Sequence, residues 1–312
     1  NIKNLKLICD DFRNQKFDKK FDYIISSGVI HHLDNPNTAL KFFNDNLTNH
    51  GVLFLMVYGN QQSDLIKGLK EVFKKFEFTQ DKESVENIKN IIGKLHKNHP
   101  SKLFLDQFND FVYDAGVVDI FLHPKEKFYS LSSLIKELEE NNFLIKNFVD
   151  GKVAAITKYI IDNPNLLKKF KEFNLEQQLD IAQMLNWNDR KIEVICTKIE
   201  NKKYSKLYNK IILDDIFTYA FQNIRYKFET DRIEMINVKD GTNFKFNVDN
   251  DGVDWKKILS GQYKLKNLLN SLPDKKKKNL YNLIEFLIEN YLLDFSFHKI
   301  EDYKKYYNSD KN

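Results

Sequence analysis

The chain has 312 residues, of which 42% are hydrophobic, 30% charged and 14% aromatic, with only 5 prolines; this excludes a disordered polymer or a mini-protein and leaves room for two domains. Lysine and arginine total 49 against 44 acidic residues, net +5. Residues 1–200 are balanced at 28 of each sign, and the whole excess falls after residue 200. Only four of the basic residues are arginine (Arg13, Arg190, Arg225, Arg232), so the charge favours solubility over bidentate phosphate reading and does not establish nucleic-acid binding. The ten glycines are so scattered that none lies two residues from another. That spacing removes any G-x-G dinucleotide turn or Walker-type phosphate loop from these residues. Mean hydropathy is −0.53 and no long uncharged apolar run occurs, so the chain reads as soluble. Asn1 to Leu5 has neither an initiator Met nor the form of a signal peptide, which leaves a start further upstream open. Cys9 and Cys196 sit in apolar runs and are expected to be buried, reduced thiols in a cytoplasmic setting.

Leu5 to Cys9 predicts a strand ending at Asp10-Asp11, and Phe21 to Ser27 predicts a second, buried strand that stops at Gly28. Asn35-Pro36 opens a helix with Ala39, Leu40, Phe43 and Leu47 on one face, closed by His50-Gly51. Val52 to Tyr58 is almost continuously apolar and predicts a strand buried on both faces. Strand, strand, helix and strand within 60 residues point to a parallel α/β sheet. Residues 62–98 read as helical until Pro100, and Phe104 to Leu122 as irregular and aromatic. Helix Leu131 to Asn142, strand Phe143 to Val149, helices near 165–173 and 176–185, and a closing strand Lys191 to Ile199 complete this part. Beyond it, 203–226 reads as helical. A hairpin joins Arg232 to Val238 with Asn243 to Val248 through Asp240-Gly241. Helical patterns near 254–260, 264–271 and 274–291 precede a last strand, Leu292 to Phe297.

Ligands of open parallel sheets bind at the carboxyl ends of the strands, and three clusters lie at such ends. In the first, a carboxylate of Asp10 or Asp11 could accept from an adenine amino group while Phe12 lines the ring; a solvated acidic pair opening a loop is the alternative. The second is Ser26-Ser27-Gly28-Val29-Ile30-His31-His32, small residues followed by two imidazoles. Adjacent histidines do not easily ligate one ion, no carboxylate or Cys stands at zinc spacing, and His96-x-x-His99 reads as a surface pair, so no metal site is expected. The third is Asp114 to Pro124 with Tyr129, where Asp119 and His123 offer general-base or orienting chemistry, or simple backbone capping. No nucleophile elbow or catalytic-cysteine pattern is present.

Phe21-Asp22-Tyr23-Ile24-Ile25-Ser26-Ser27-Gly28-Val29-Ile30-His31-His32-Leu33 resembles the fourth-strand motif of class I S-adenosylmethionine-dependent methyltransferases. Gly51 to Gly59 is similar to their fifth strand, and Leu7-Ile8-Cys9-Asp10-Asp11-Phe12 to their third. Asp114 to Asp119, Leu122-His123-Pro124 and Tyr129-Ser130-Leu131 look like a bacterial subgroup, extending the resemblance to about residue 200. It implies a Rossmann-like sheet lacking its first two strands over 1–200, and S-adenosyl-L-methionine as cofactor. Asp10 or Asp11 with Phe12 would meet the adenine, and Ser26, Ser27, Gly28 and His31 would line the methyl-transfer side. His32, Asp119 and His123 are the candidate bases, and Tyr58 a further group facing the acceptor. The Gly-rich loop and the ribose-binding acidic residue of the family are missing, so a fragment that binds cofactor poorly is expected. Asn60-Gln61-Gln62 stands where the subgroup continues toward Gly-Arg. The methyl acceptor is left open among protein, nucleic acid and small molecule.

Residues 201–312 read as an accessory, winged-helix-like α+β domain. Lys264, Lys266 and Lys275 to Lys278 could approach phosphates, although a four-Lys run is more simply a solvated helix start. The second functional reading is a non-catalytic, degenerate methyltransferase fold that binds a protein or nucleic acid.

Overall fold

The structure is a computed structural model describing residues 5–106, 109–149, 163–185, 191–204, 216–220, 224–229, 232–238, 243–247, 253–289 and 292–296. Residues divide into two compact units, one of 1–153 with 165–209 and the other of 154–164 with 210–312.

The first unit is built on a four-stranded sheet in the order β1-β2-β4-β3, from β1 (Phe21–Ser27), β2 (Leu47–Tyr58), β3 (Phe143–Phe148) and β4 (Lys191–Lys198). β1 runs parallel to β2, whereas β4 is antiparallel to both β2 and β3. The sheet is therefore mixed rather than wholly parallel, and β4 is an interior strand instead of a closing one. Its alternation arises because Ile192, Val194 and Cys196 are buried, the last two paired with both β2 and β3.

Helix α1 (Pro36–Asn46) starts where Asn35 accepts a hydrogen bond from the Asn37 N–H (3.1 Å) and Pro36 takes the first helical position. It buries Ala39, Leu40 and Phe43. The helix stops at Asn46, earlier than the His50-Gly51 expected from sequence, because Leu47 already pairs with Phe21 as the first residue of β2. Two further expectations fail nearby. Leu5 to Cys9 is exposed irregular chain, so Cys9 is exposed while Cys196 is buried. β1 is largely exposed, with Tyr23 and Ile25 open to solvent, since it is paired on one side only among the described residues.

Between β2 and β3 the chain makes a helical lobe. Helices α2 (Asn60–Lys75) and α3 (Lys82–Lys94) share a core of Ile66, Leu69, Phe73, Val85, Ile88 and Ile92. Pro100 opens α4 (Pro100–Leu105) instead of merely ending a helix, as suits a residue whose missing N–H costs nothing in the first turn. The segment expected to be irregular contains α5 (Asp114–Val117) and a π-helical turn, Val118–Leu122. Helix α6 (Leu131–Glu140) is capped by Ser130, which accepts from the Ser133 N–H at 3.1 Å, and it buries Leu131, Leu134, Ile135 and Leu138. Helices Pro164–Glu172 and Leu175–Leu185 precede β4.

The second unit holds two three-stranded sheets. One is β10-β5-β9 (Leu293–Ser296, Phe217–Ala220, Ser260–Lys264), the other β6-β7-β8 (Ile224–Phe228, Arg232–Asn237, Asn243–Asn247). All the pairings are antiparallel. Phe217–Ala220 and Ile224–Phe228 are strands where sequence periodicity predicts helix; Thr218 and Ala220 are buried, so a strand face took residues whose spacing also suited a helix. The expected hairpin pairs Arg232 with Asn247, and its turn at Asp240-Gly241 lies outside the described residues. Helices Trp255–Ile258, Leu265–Leu269 and Asp274–Glu289 complete the unit, the last beginning at the Lys run. Among the described residues, no helix is long and apolar enough to cross a membrane.

Candidate active site

At the carboxyl end of β1 the chain turns sharply. Gly28 adopts φ +72°, a conformation costly for any residue with a Cβ, and its N–H donates to the Met56 carbonyl at 3.2 Å. A short 3-10 turn (Ile30–His32) then lays both imidazoles across the end of β2. His31 is fully buried, its ring centroid 4.2 Å from those of His32 and Tyr58.

Two separate stretches complete the cluster. The π-helical turn delivers Asp119, whose carboxylate accepts from the Tyr58 hydroxyl at 2.9 Å and lies 3.3 Å from His32 Nε2. The imidazole contact is an ion pair of imperfect hydrogen-bond alignment. The strap 123–129 crosses the strand ends. His123 packs on His32 with ring centroids 3.9 Å apart. The Lys125 carbonyl lies 3.1 Å from His32 Nδ1, and the Lys127 N–H donates to the His31 carbonyl at 2.8 Å. Tyr129 then donates its N–H to the Tyr58 carbonyl (2.9 Å) and accepts from the Asn60 N–H (3.0 Å), bridging the strap to the end of β2.

The electrostatics separate the two histidines. Burial pushes His31 down to about 3, with His32 adding repulsion, so the ring is neutral at ordinary pH. Burial also works against the charged form of His32, but the Asp119 carboxylate, the Lys125 carbonyl and the Glu126 charge outweigh it and raise the group above its usual value. Asp119 is held below the usual carboxylate range by His32, with Tyr58 assisting against the cost of burial.

The structure thus brings together His31, His32, Tyr58, Asp119 and His123 from separate parts of the sequence. Ser26 is buried in β1 with its hydroxyl unpartnered among the described residues, and Ser27 is exposed. Asp10, Asp11 and Phe12 make local contacts instead. Asp10 accepts from the Gln15 amide at 2.7 Å, Asp11 is ion-paired with Arg13, and Phe12 stacks on Phe43 at 5.5 Å. The pairing with Arg13 holds the Asp11 carboxyl down at about 2. His96 and His99 accept from the Asn98 and Ser101 N–H groups, each at 3.2 Å, as local caps. Sequence reasoning missed Lys70, Lys125, Glu126 and Lys127. Their one visible signal is a Lys-Glu-Lys alternation inside an otherwise aromatic stretch.

A family model described as a methyltransferase domain matches residues 3–146. Over this segment the chain is similar to methyltransferase domains. The methyltransferase match spans β1 to the first residues of β3, and with them the whole imidazole cluster. Among solved structures, the chain is similar to PKMT2 from Rickettsia typhi at 15% identity and TM-score 0.53, covering 90% of this chain and 59% of that one. PKMT2 in complex with AdoHcy matches at 16% identity and TM-score 0.50, over 89% and 58% of the two chains. At these identities the likeness is one of fold, and the chain spans just under three fifths of the structures it matches.

Proposed function

We propose that the protein transfers a methyl group from S-adenosylmethionine to an acceptor, with the imidazole cluster forming the acceptor side of the site. The convergence of His31, His32, Tyr58, Asp119 and His123 on the carboxyl ends of β1 and β2, within the methyltransferase match, carries this reading. The residues fit the methyl-bearing end of the cofactor. Gly28 leaves the strand end without a side chain, and the Ser26 hydroxyl and both His31 ring nitrogens are buried polar atoms free to meet a ligand. Asp10 and Asp11 would have to leave their Gln15 and Arg13 partners to reach an adenine.

The bound cofactor supplies a methyl group on a sulfonium sulfur, with a thioether as leaving group. The protein's part is alignment, exclusion of water and removal of the acceptor's proton. The Lys125 carbonyl assigns the proton of neutral His32 to Nδ1, which leaves the Nε2 lone pair on the Asp119 side. An acceptor X–H that reached Nε2 would give up its proton there. Asp119 stabilises the resulting imidazolium, Tyr58 fixes Asp119, and His123 supports the face of the ring.

Isothermal titration with S-adenosylhomocysteine, on the full-length gene product and on the 312-residue chain, tests the cofactor. Binding by the gene product is expected, weakened in an Asp10/Asp11 double alanine variant and retained in Asp119→Asn. Since the base acts unprotonated, the methyl-transfer rate rises with pH through the titration of His32. Asp119→Asn lowers the basicity of His32, moves that limb to lower pH and slows transfer roughly 10²-fold. A folded gene product with no detectable binding overturns the enzyme reading and leaves the degenerate interaction module.

A further inference from the structure

Three consecutive strap residues are each clamped to a different element. Lys125 pairs with Asp34 in the loop before α1, Glu126 with Lys70 on α2, and Lys127 with Glu137 on α6 at 2.9 Å. The outer two clamps keep substantial solvent exposure, so each contributes little. Glu126 differs. Its side chain is 5% exposed, one oxygen meets Lys70, and the other is buried with no partner among the described residues. Its two neighbours in sequence make the backbone contacts to His31 and His32, and the Lys70 ammonium also sits 5.6 Å from the centre of the Phe128 ring in the same strap.

We propose that Glu126, held by Lys70, is a positioning residue for His32: it locks the strap that presents the Lys125 carbonyl and His123 to the imidazole, and it is a second carboxylate behind the Asp119–His32 pair. This role rests on His32 being the proton-accepting group of the proposed reaction. A buried carboxylate with an idle oxygen is expensive to keep unless its charge is used, and here the local charge balance uses it. The groups in contact with His32 are His31 from its own turn, Tyr58 from β2, Asp119 from the π-helical turn, and His123 and the Lys125 carbonyl from the strap; Glu126, next to Lys125 in that strap and paired with Lys70, acts on it through its charge. Burial raises the carboxyl of Glu126, and Lys70 and His32 oppose that rise. Glu126 in turn supports the charged form of His32, after Asp119 and the Lys125 carbonyl.

Proton NMR titration of the imidazole signals tests this without an acceptor or cofactor, so its outcome stands apart from whether methyl transfer occurs. The His32 signal is assigned by His32→Gln, with His50, His96 and His99 as internal references. Glu126→Gln is expected to lower the His32 midpoint by about half a unit, while Glu126→Asp retains most of it and the references stay in place. In the unaltered chain the His32 signal carries a second, smaller step where Glu126 takes up its proton. A His32 midpoint unmoved by Glu126→Gln overturns the proposal. Should that variant fail to fold, a single-step His32 titration in the unaltered chain overturns it equally.

Discussion

His31 and His32 are adjacent in sequence, yet burial drives one towards its neutral form while oxygen neighbours favour the charged form of the other. Their contributions to stability run in opposite directions with pH. An unfolded His31 binds a proton below about 6.5 that the folded ring refuses until about 3, so stability falls across that interval as acid is added. The contribution of His32 has the reverse sign: full below its unfolded value, it fades as pH rises through the elevated folded value. Urea denaturation between pH 7 and pH 4.5 is expected to show a loss of about 2–3 kcal/mol from His31 alone. A His31→Leu variant should flatten that slope by about one proton, or ~1.4 kcal/mol per pH unit; an unchanged slope would sink the assignment. The sequence exposes the His-His pair and flags Asp119 and His123, but nothing local says which imidazole is enclosed. That depends on Tyr58 and the strap, 26 or more residues away.

At the scale of elements, β1 and β2 are legible because β-branched and aromatic runs end at turn residues, and α1 because Asn35-Pro36 is a strong start signal. Burial of β1 is not legible: Phe21 to Ser27 has the composition of an inner strand, and its exposure depends on which strands flank it. Leu5 to Cys9 fails for the same reason, since an apolar run becomes a strand only against a partner. The consequence is an edge unpaired among the described residues, bearing Tyr23 at 50% and Ile25 at 63% exposure, the kind of edge that invites strand pairing between molecules. Ile25→Lys is expected to reduce concentration-dependent self-association of the 312-residue chain, measured by sedimentation velocity, while its circular dichroism is unchanged. Equal association by both proteins would show that the edge is covered in solution.

For the molecule as a whole, the family match ends at residue 146, but the sheet does not. β4 lies between β2 and β3, pairing Val52 to Tyr58 on one side and Phe143 to Phe148 on the other. A fragment of residues 1–146 should therefore fail to melt cooperatively, whereas 1–209 should retain a single transition, as judged by calorimetry. Cooperative melting of the shorter piece would mean that β2 and β3 find another way to close. The periodicity of Lys191 to Ile199 reveals the strand, but its central place in the sheet is a long-range fact that no window of sequence contains. The late position of β4 also imposes a timetable on synthesis. At roughly 5–20 residues per second, β3 waits some seconds on the ribosome before its only hydrogen-bonded neighbour among the described residues emerges. During that wait the apolar inner strands stand unbridged, so the nascent chain is most exposed to chaperones and to misassembly after most of the methyltransferase match has already been made.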